Sequence, residues 1–208
     1  MKSRLAAFAA TAAIAILAAG SASAFGLNAA SERDRDYVAS YNASTTQDDN
    51  YELGREHPTT TRVVVADPTG EAPGTITVDT DNRYLYLSQA GGRAVRYDVG
   101  VGRQGFEWSG TVRVGRKAEW PGWTPPPAML KRRPDLPRHM AGGVDNPLGA
   151  RAMYLYSGKR DVGYRIHGSN EPDTIGQAVS SGCIRMLNAD VEDLYTRVRI
   201  GAKVVVLR

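Results

Sequence analysis

The chain has 208 residues, 42% of them hydrophobic and 23% charged, with a single cysteine, Cys183, which is one domain's worth of chain. One cysteine excludes an intrachain disulfide framework and a zinc site of several thiolates, and a mean hydropathy of −0.36 excludes a multi-span membrane protein. The formal charge of +4 includes Lys2 and Arg4 of a segment read below as removable; without them 24 basic residues face 22 acidic ones, or +2, a balance that implies no nucleic-acid partner.

Lys2 and Arg4 precede an uncharged apolar run from Leu5 to Gly20, and Ala22-Ser23-Ala24 supplies a small-x-small cleavage pattern. Residues 1–24 therefore read as a secretory signal cleaved before Phe25, shorter in its apolar run than the roughly 20 residues that span a bilayer. The expectation is an exported, periplasmic protein with no integral membrane span once mature. Residues 25–72 are polar and turn-rich and read as a loosely packed N-terminal arm or linker, with Arg62 to Ala66 as its one β-prone island.

From residue 73 to residue 208 the pattern is that of a folded domain. Ile76 and Val78 alternate with polar neighbours, as do Leu85 and Leu87, and Asp81-Asn82 between them signals a hairpin. Gly91-Gly92 turns the chain into Ala94 to Val101, where Val95, Tyr97 and Val99 share a face, and Thr111 to Val114 forms another strand. Glu119 to Pro147 carries seven prolines and reads as a long irregular loop, ordered by Trp120, Trp123 and Met129. Ala152 to Tyr156 and Gly163 to His167 are strands. Asn188 to Ile200 reads as the one solid helix, capped by Asn188 and ended by Gly201. Val204-Val205-Val206 closes the chain as a buried strand. The fold class expected is mainly β, with one C-terminal-region helix and a long Pro-rich loop.

The chemistry concentrates between His167 and Met186. A nucleophilic cysteine needs a base for its proton and donors for the oxyanion it creates. His167 ends a β-prone run, and Cys183 follows Gly182 sixteen positions later. Pro172, Gly176 and Gly182 between them exclude a single helical face but allow a returning loop. Gly182 permits a backbone that aims consecutive N–H groups at one oxygen. The Gly168 carbonyl is placed to fix the tautomer of His167. A lone cysteine or histidine is as readily a packed structural residue. Export of a free thiol favours chemistry.

His167-Gly168-Ser169 with Ser180-Ser181-Gly182-Cys183-Ile184-Arg185-Met186 resembles the catalytic signature of the L,D-transpeptidases, the YkuD-type family of bacterial wall enzymes. Gly100-Val101-Gly102-Arg103, the run Trp120 to Pro126 and Asp145 to Gly149 are similar to its diderm-bacterial branch. The resemblance spans roughly residues 73 to 208. It implies a β-sandwich-type fold and a peptidoglycan L,D-transpeptidase working by cysteine acyl transfer from a tetrapeptide stem. The acceptor is an amine, either of a neighbouring stem, giving a 3-3 cross-link, or of an outer-membrane protein. The resemblance makes Cys183 the nucleophile, His167 the base and Gly168 the residue that orients it, with Ser181 and Gly182 in the oxyanion loop. A thiolate beside an imidazolium is the expected reactive pair. An L,D-carboxypeptidase or wall amidase of the same fold, or a non-catalytic wall-binding module, is the alternative.

Arg185, two positions past the nucleophile, either grips a stem carboxylate or braces the catalytic loop. Ser181 stands where many relatives carry a second histidine. Trp108, Trp120 and Trp123 read as core or as cleft lining. Lys131, Arg132, Arg133 and Arg138 read as a solvated basic loop, and His139 has no evident partner. No metal-ligand spacing and no phosphate loop is present, so neither a metal nor a cofactor is implied.

Overall fold

Strict alternation of apolar and polar residues builds a sheet whose buried face is continuous. The structure, a computed structural model, describes residues 59–208; residues 1–24, expected to be a signal, and residues 25–58 of the polar stretch lie outside them. Among the described residues the strands are β1 (Val63–Ala66), β2 (Ile76–Asp79), β3 (Tyr84–Gln89), β4 (Arg93–Asp98), β5 (Val101–Gly102) and β6 (Gly110–Glu119). They continue with β7 (Arg151–Ser157), β8 (Arg160–His167), β9 (Ala178–Ser180), β10 (Ile184–Arg185) and β11 (Lys203–Leu207). Two helices join them, α1 (Pro127–Arg132) and α2 (Asn188–Arg197). Nine strands form one sheet in the order β1-β4-β3-β2-β11-β6-β7-β8-β10, and β5 pairs with β9 in a small second sheet. The fold is mainly β and of the sandwich type expected.

The apolar run Val204 to Val206 lies at the centre of the large sheet, parallel to β2 and antiparallel to β6. Ile76, Val78, Leu85, Val95, Tyr97, Val114, Met153, Leu155, Ile166, Ile184, Leu194 and Val204 form one buried cluster drawn from both halves of the sheet and from α2. Each fully buried aliphatic side chain contributes about 1.5–3 kcal/mol. Helix α2 packs on β7 and β8, burying Val191 and Leu194. The Lys117 ammonium of β6 donates to the Tyr195 and Val198 carbonyls at 2.5 and 2.7 Å, which fixes the C-terminal end of the helix where a cation is electrostatically favoured.

Four expectations are corrected. The Pro-rich loop contains a helix, α1, because Pro127 opens it at a first-turn position where the missing N–H costs nothing. Strand β6 runs on to Glu119, since its ladder with β7 continues from Arg116 through Glu119 opposite Arg151. Helix α2 ends at Arg197, with Val198 already extended, so Gly201 does not stop it. Asn188 does not cap the helix; the cap position is Leu187, without a side-chain bond. The Asn188 side chain is used elsewhere, as described below.

The last residues of the polar stretch are docked. Strand β1 pairs antiparallel with β4. Asp190, wholly buried on α2, accepts the Thr60 hydroxyl, the Thr61 hydroxyl at 2.7 Å and the Thr61 N–H at 3.0 Å. Arg62 pairs with Asp193 at 2.7 Å.

Candidate active site

Strands β8 and β10 run parallel with Ile166 opposite Ile184 and His167 opposite Arg185. Ile166 and Ile184 are both buried in the core. Because side chains alternate across a sheet, Arg165, His167, Cys183 and Arg185 are carried to the opposite face. The fifteen residues between His167 and Cys183 form the returning loop, which contains a 3-10 turn at Pro172–Thr174 and β9. This pairing sets Cys183, one step before Ile184, on the strand next to the one that ends in His167.

His167 is 4% exposed. Its Nδ1 lies 2.5 Å from the Gly168 carbonyl, so Nδ1 carries the proton and Nε2 is the free basic nitrogen. Burial, followed by the nearby Arg185 guanidinium, holds the His167 pKa down at about 3, against the partial opposition of the Gly168 carbonyl. Burial also pushes the Cys183 thiol up, although the Arg165 N–H and the guanidinium groups of Arg165 and Arg185 pull in the other direction. The resting pair is therefore thiol and neutral imidazole. The expected thiolate–imidazolium pair is corrected on this point, because both charged forms would sit in a desolvated site.

The carbonyl that orients His167 is itself held. The Asn188 side-chain oxygen accepts the Ala150 N–H at 3.0 Å and the Ser169 N–H at 3.2 Å. It occupies the space a Cβ would need on Gly168 and on Gly149. Glycine is required at both positions by this approach, and at Gly149 also by its φ of +61°. The Met186 N–H donates to the His167 carbonyl at 2.9 Å, locking the histidine strand to the cysteine strand.

Gly182 adopts φ +104° and presses against the Tyr164 ring. Its N–H donates to the Ser180 hydroxyl at 3.1 Å, and that hydroxyl donates to the Cys183 carbonyl at 2.6 Å. The Gly182 N–H is thus engaged in shaping the loop, a correction to its expected place in the oxyanion hole. The Ser181 hydroxyl accepts from Arg103 at 3.3 Å. Trp108 donates from its indole to the Gly182 carbonyl at 2.8 Å and stacks on Tyr164 with ring centroids 4.7 Å apart. It supports the nucleophile loop, where the sequence left core and cleft open. Trp120 instead starts the long loop with φ +38°, and His139 meets Thr124 at 3.2 Å.

Arg185 is 22% exposed and bonds Glu171 at 2.7 Å and Thr174 at 3.3 Å. It braces the returning loop. The sequence reading missed two residues: Arg165, whose signal was its place two residues before His167 on the same strand face, and Asn188, mistaken for a cap. Among the described residues no group of three or more His, Cys, Asp or Glu is arranged to hold a metal, and no helix is long and apolar enough to cross a membrane.

The protein is a mainly β domain in which a buried histidine held by a backbone carbonyl and a free cysteine lie on neighbouring segments at one edge of the large sheet. The sequence pattern of the YkuD family, the L,D-transpeptidase catalytic domain, matches residues 73–206, and the chain belongs to this family. It is 39% identical over 119 residues to the Probable L,D-transpeptidase ErfK/SrfK of Escherichia coli strain K12, covering 53% of this chain and 36% of that protein. To the Probable L,D-transpeptidase YbiS of the same organism it is 32% identical over 139 residues, covering 63% and 43%. The chain thus spans less than half the length of these two relatives. A solved structure from Brucella melitensis, titled a probable carnitine operon oxidoreductase, is 44% identical, with TM-score 0.50 over 76% of this chain and 99% of that one. L,D-transpeptidase 3 from Mycobacterium tuberculosis shares the fold at 17% identity, with TM-score 0.50 over 66% of this chain and 62% of that one.

Proposed function

We propose that the protein is an exported peptidoglycan L,D-transpeptidase that works by cysteine acyl transfer. The observation that carries the reading is the parallel pairing of β8 with β10, which sets His167 opposite Arg185 and so two residues along from Cys183, with His167 Nδ1 on the Gly168 carbonyl. Cys183 attacks the carbonyl at the L-centre of meso-diaminopimelate in a tetrapeptide stem. His167 Nε2 takes the thiol proton as the sulfur–carbon bond forms, then gives it to the departing nitrogen as the bond to terminal D-Ala breaks. The resulting thioester retains the energy needed for aminolysis outside the cell. An acceptor amine attacks it, passes its proton to His167, and the thiol is regenerated. The acceptor is a neighbouring stem, giving a 3-3 cross-link, or an amine of an outer-membrane protein, and the location is the periplasm.

The Cys183 N–H has no acceptor among the described residues, which supports it as an oxyanion donor, with Ser181 and Gly182 shaping the turn that presents it. The low pKa of His167 keeps the base free at working pH. It also makes the imidazolium a strong acid toward the leaving group, once formed.

Incubation of the mature protein with a disaccharide tetrapeptide, followed by mass analysis, tests the reading. A cross-linked dimer or exchange of D-Ala for another amino acid is expected. Tripeptide and free D-Ala alone would mean water resolves the thioester, making the protein an L,D-carboxypeptidase.

A further inference from the structure

Arg165 stands one step before Ile166 in the β8–β10 register, directly beside Cys183, and its N–H points at the thiol. The same row continues inward across the sheet, with Arg165 opposite Tyr154 of β7 and Tyr154 opposite Arg116 of β6. Both guanidinium groups lie over the Tyr154 ring, 4.7 Å and 3.4 Å from its centroid. Two guanidinium groups thus line the row that runs from Cys183 inward across β8, β7 and β6.

The two arginines that flank Cys183 are bound differently. Arg185 makes a 2.7 Å bond to Glu171 and a second contact to Thr174, which commit it to the loop. Among the described residues Arg165, besides lying over Tyr154, hydrogen-bonds the exposed Asp161, at 3.2 and 3.5 Å, and its side chain is 22% exposed. Such a loose, solvent-facing ion pair is readily exchanged for a better-placed carboxylate. Asp161 is kept back by accepting the Gly163 N–H at 2.8 Å.

We propose that Arg165 is the carboxylate-recognising residue of the acyl-donor site, taking the terminal carboxylate next to the bond that Cys183 cleaves and so selecting donors with a free C-terminal acid. The Tyr154 ring fixes the guanidinium plane, and Arg116 extends the anion-attracting field. This rests on the acyl-transfer reading for the identity of the donor, but not for the charge selectivity of the thiol.

The test separates the two. Cys183 is alkylated with iodoacetate, which carries a carboxylate, or with iodoacetamide, which does not; each displaces iodide as the sulfur–carbon bond forms. The ratio of the two rates is measured in the full chain. Arg165→Gln is expected to lower the iodoacetate preference about tenfold, Arg165→Lys to keep much of it, and Asp161→Asn, which frees Arg165 without touching it, to raise it. An unchanged ratio in both Arg165→Gln and Asp161→Asn overturns the proposal. Tetrapeptide donors ending in acid or amide are then compared. The wild-type preference for the acid in kcat/KM is expected to vanish in Arg165→Gln, and its persistence there also overturns the proposal. If neither donor reacts with the wild type while the alkylation ratio shifts as stated, the transpeptidase reading fails and the carboxylate site stands.

Discussion

The side-chain oxygen of Asn188 rests against Gly168 in the space a β-carbon would fill, while accepting the Ser169 and Ala150 N–H groups. One amide on helix α2 thereby fixes the peptide whose carbonyl orients the buried imidazole. Substituting Gly168→Ala forces Asn188 away and turns that carbonyl. We expect a loss of about 2–4 kcal/mol of stability and a fall in Cys183 acylation larger than the loss of folded protein explains. Asn188→Ala, which relieves the contact but leaves two buried N–H groups unpaired, should cost about 1–3 kcal/mol. Calorimetry alongside intact-mass acylation with a carbapenem checks both.

The neutrality of His167 has a pH signature. Its folded pKa of about 3 lies below the ordinary 6.5, so the unfolded chain binds the proton more tightly. The stability this represents is fully present above about pH 6.5 and lost as pH falls toward 3, at about 1.4 kcal/mol per unit at most. In activity, no acid limb from His167 should appear near pH 6.5. Imidazole titration by NMR should show His167 unprotonated at pH 5, and Arg185→Gln should raise its pKa by removing a nearby positive charge. A His167 midpoint near 6.5 in the wild type contradicts the desolvated site.

The Cys183 thiol, raised by burial, should be a slow nucleophile toward generic reagents at pH 7 and yet acylate readily with substrate-like β-lactams that engage His167. Cys183→Ala is expected to abolish acylation, and His167→Ala to lower it by at least a hundredfold, both with melting temperatures close to wild type. Alkylation rates followed between pH 6 and 10 give the thiol's midpoint directly.

Truncation to residue 73 removes Thr60, Thr61 and Arg62 and with them the partners of Asp190 and one of those of Asp193, which keeps Tyr97 and Arg197. Asp190 is wholly buried and would lose the hydroxyl and N–H donors of Thr60 and Thr61 that now satisfy it. A chain starting at residue 73 should lose about 3–5 kcal/mol relative to one starting at residue 59. Paired urea melts measure this, and Asp190→Asn in the longer chain should recover only part of the wild-type value.

Trp108→Phe keeps an aromatic face for Tyr164 but deletes the indole bond to the Gly182 carbonyl. Stability should fall by about 1 kcal/mol, while acylation falls further because the turn that presents Cys183 loosens. Equal loss in both would assign Trp108 to packing alone.

The strands at 76–79, 84–89 and 151–157 were legible because a period of two needs no partner to be recognised. The nucleophile and base were legible through a motif whose residue types and separation carry a chemistry. In the structure His167 meets the Gly168 carbonyl, and Cys183 lies on the neighbouring strand segment. The length of β6 and the helix inside the Pro-rich loop were not legible. Polar residues such as Arg116 and Lys117 look like loop until a neighbouring strand takes their backbone groups, and Pro127 looks like a breaker until it is seen to open a turn.

By itself the sequence determined the mainly β class and the family signature, and it nominated Cys183 and His167 as the reacting pair, since these depend on local periodicity and residue chemistry. Only the tertiary structure decided what each polar side chain does. Asn188 reads as a cap in one dimension but is taken by Ala150 and Ser169, residues 38 and 19 positions away. Arg185 is committed to Glu171 and Thr174, and Arg165 is set beside Cys183 by strand register. Protonation followed the same rule, because the burial that holds His167 neutral and Cys183 as a thiol comes from side chains and loops brought from the whole domain.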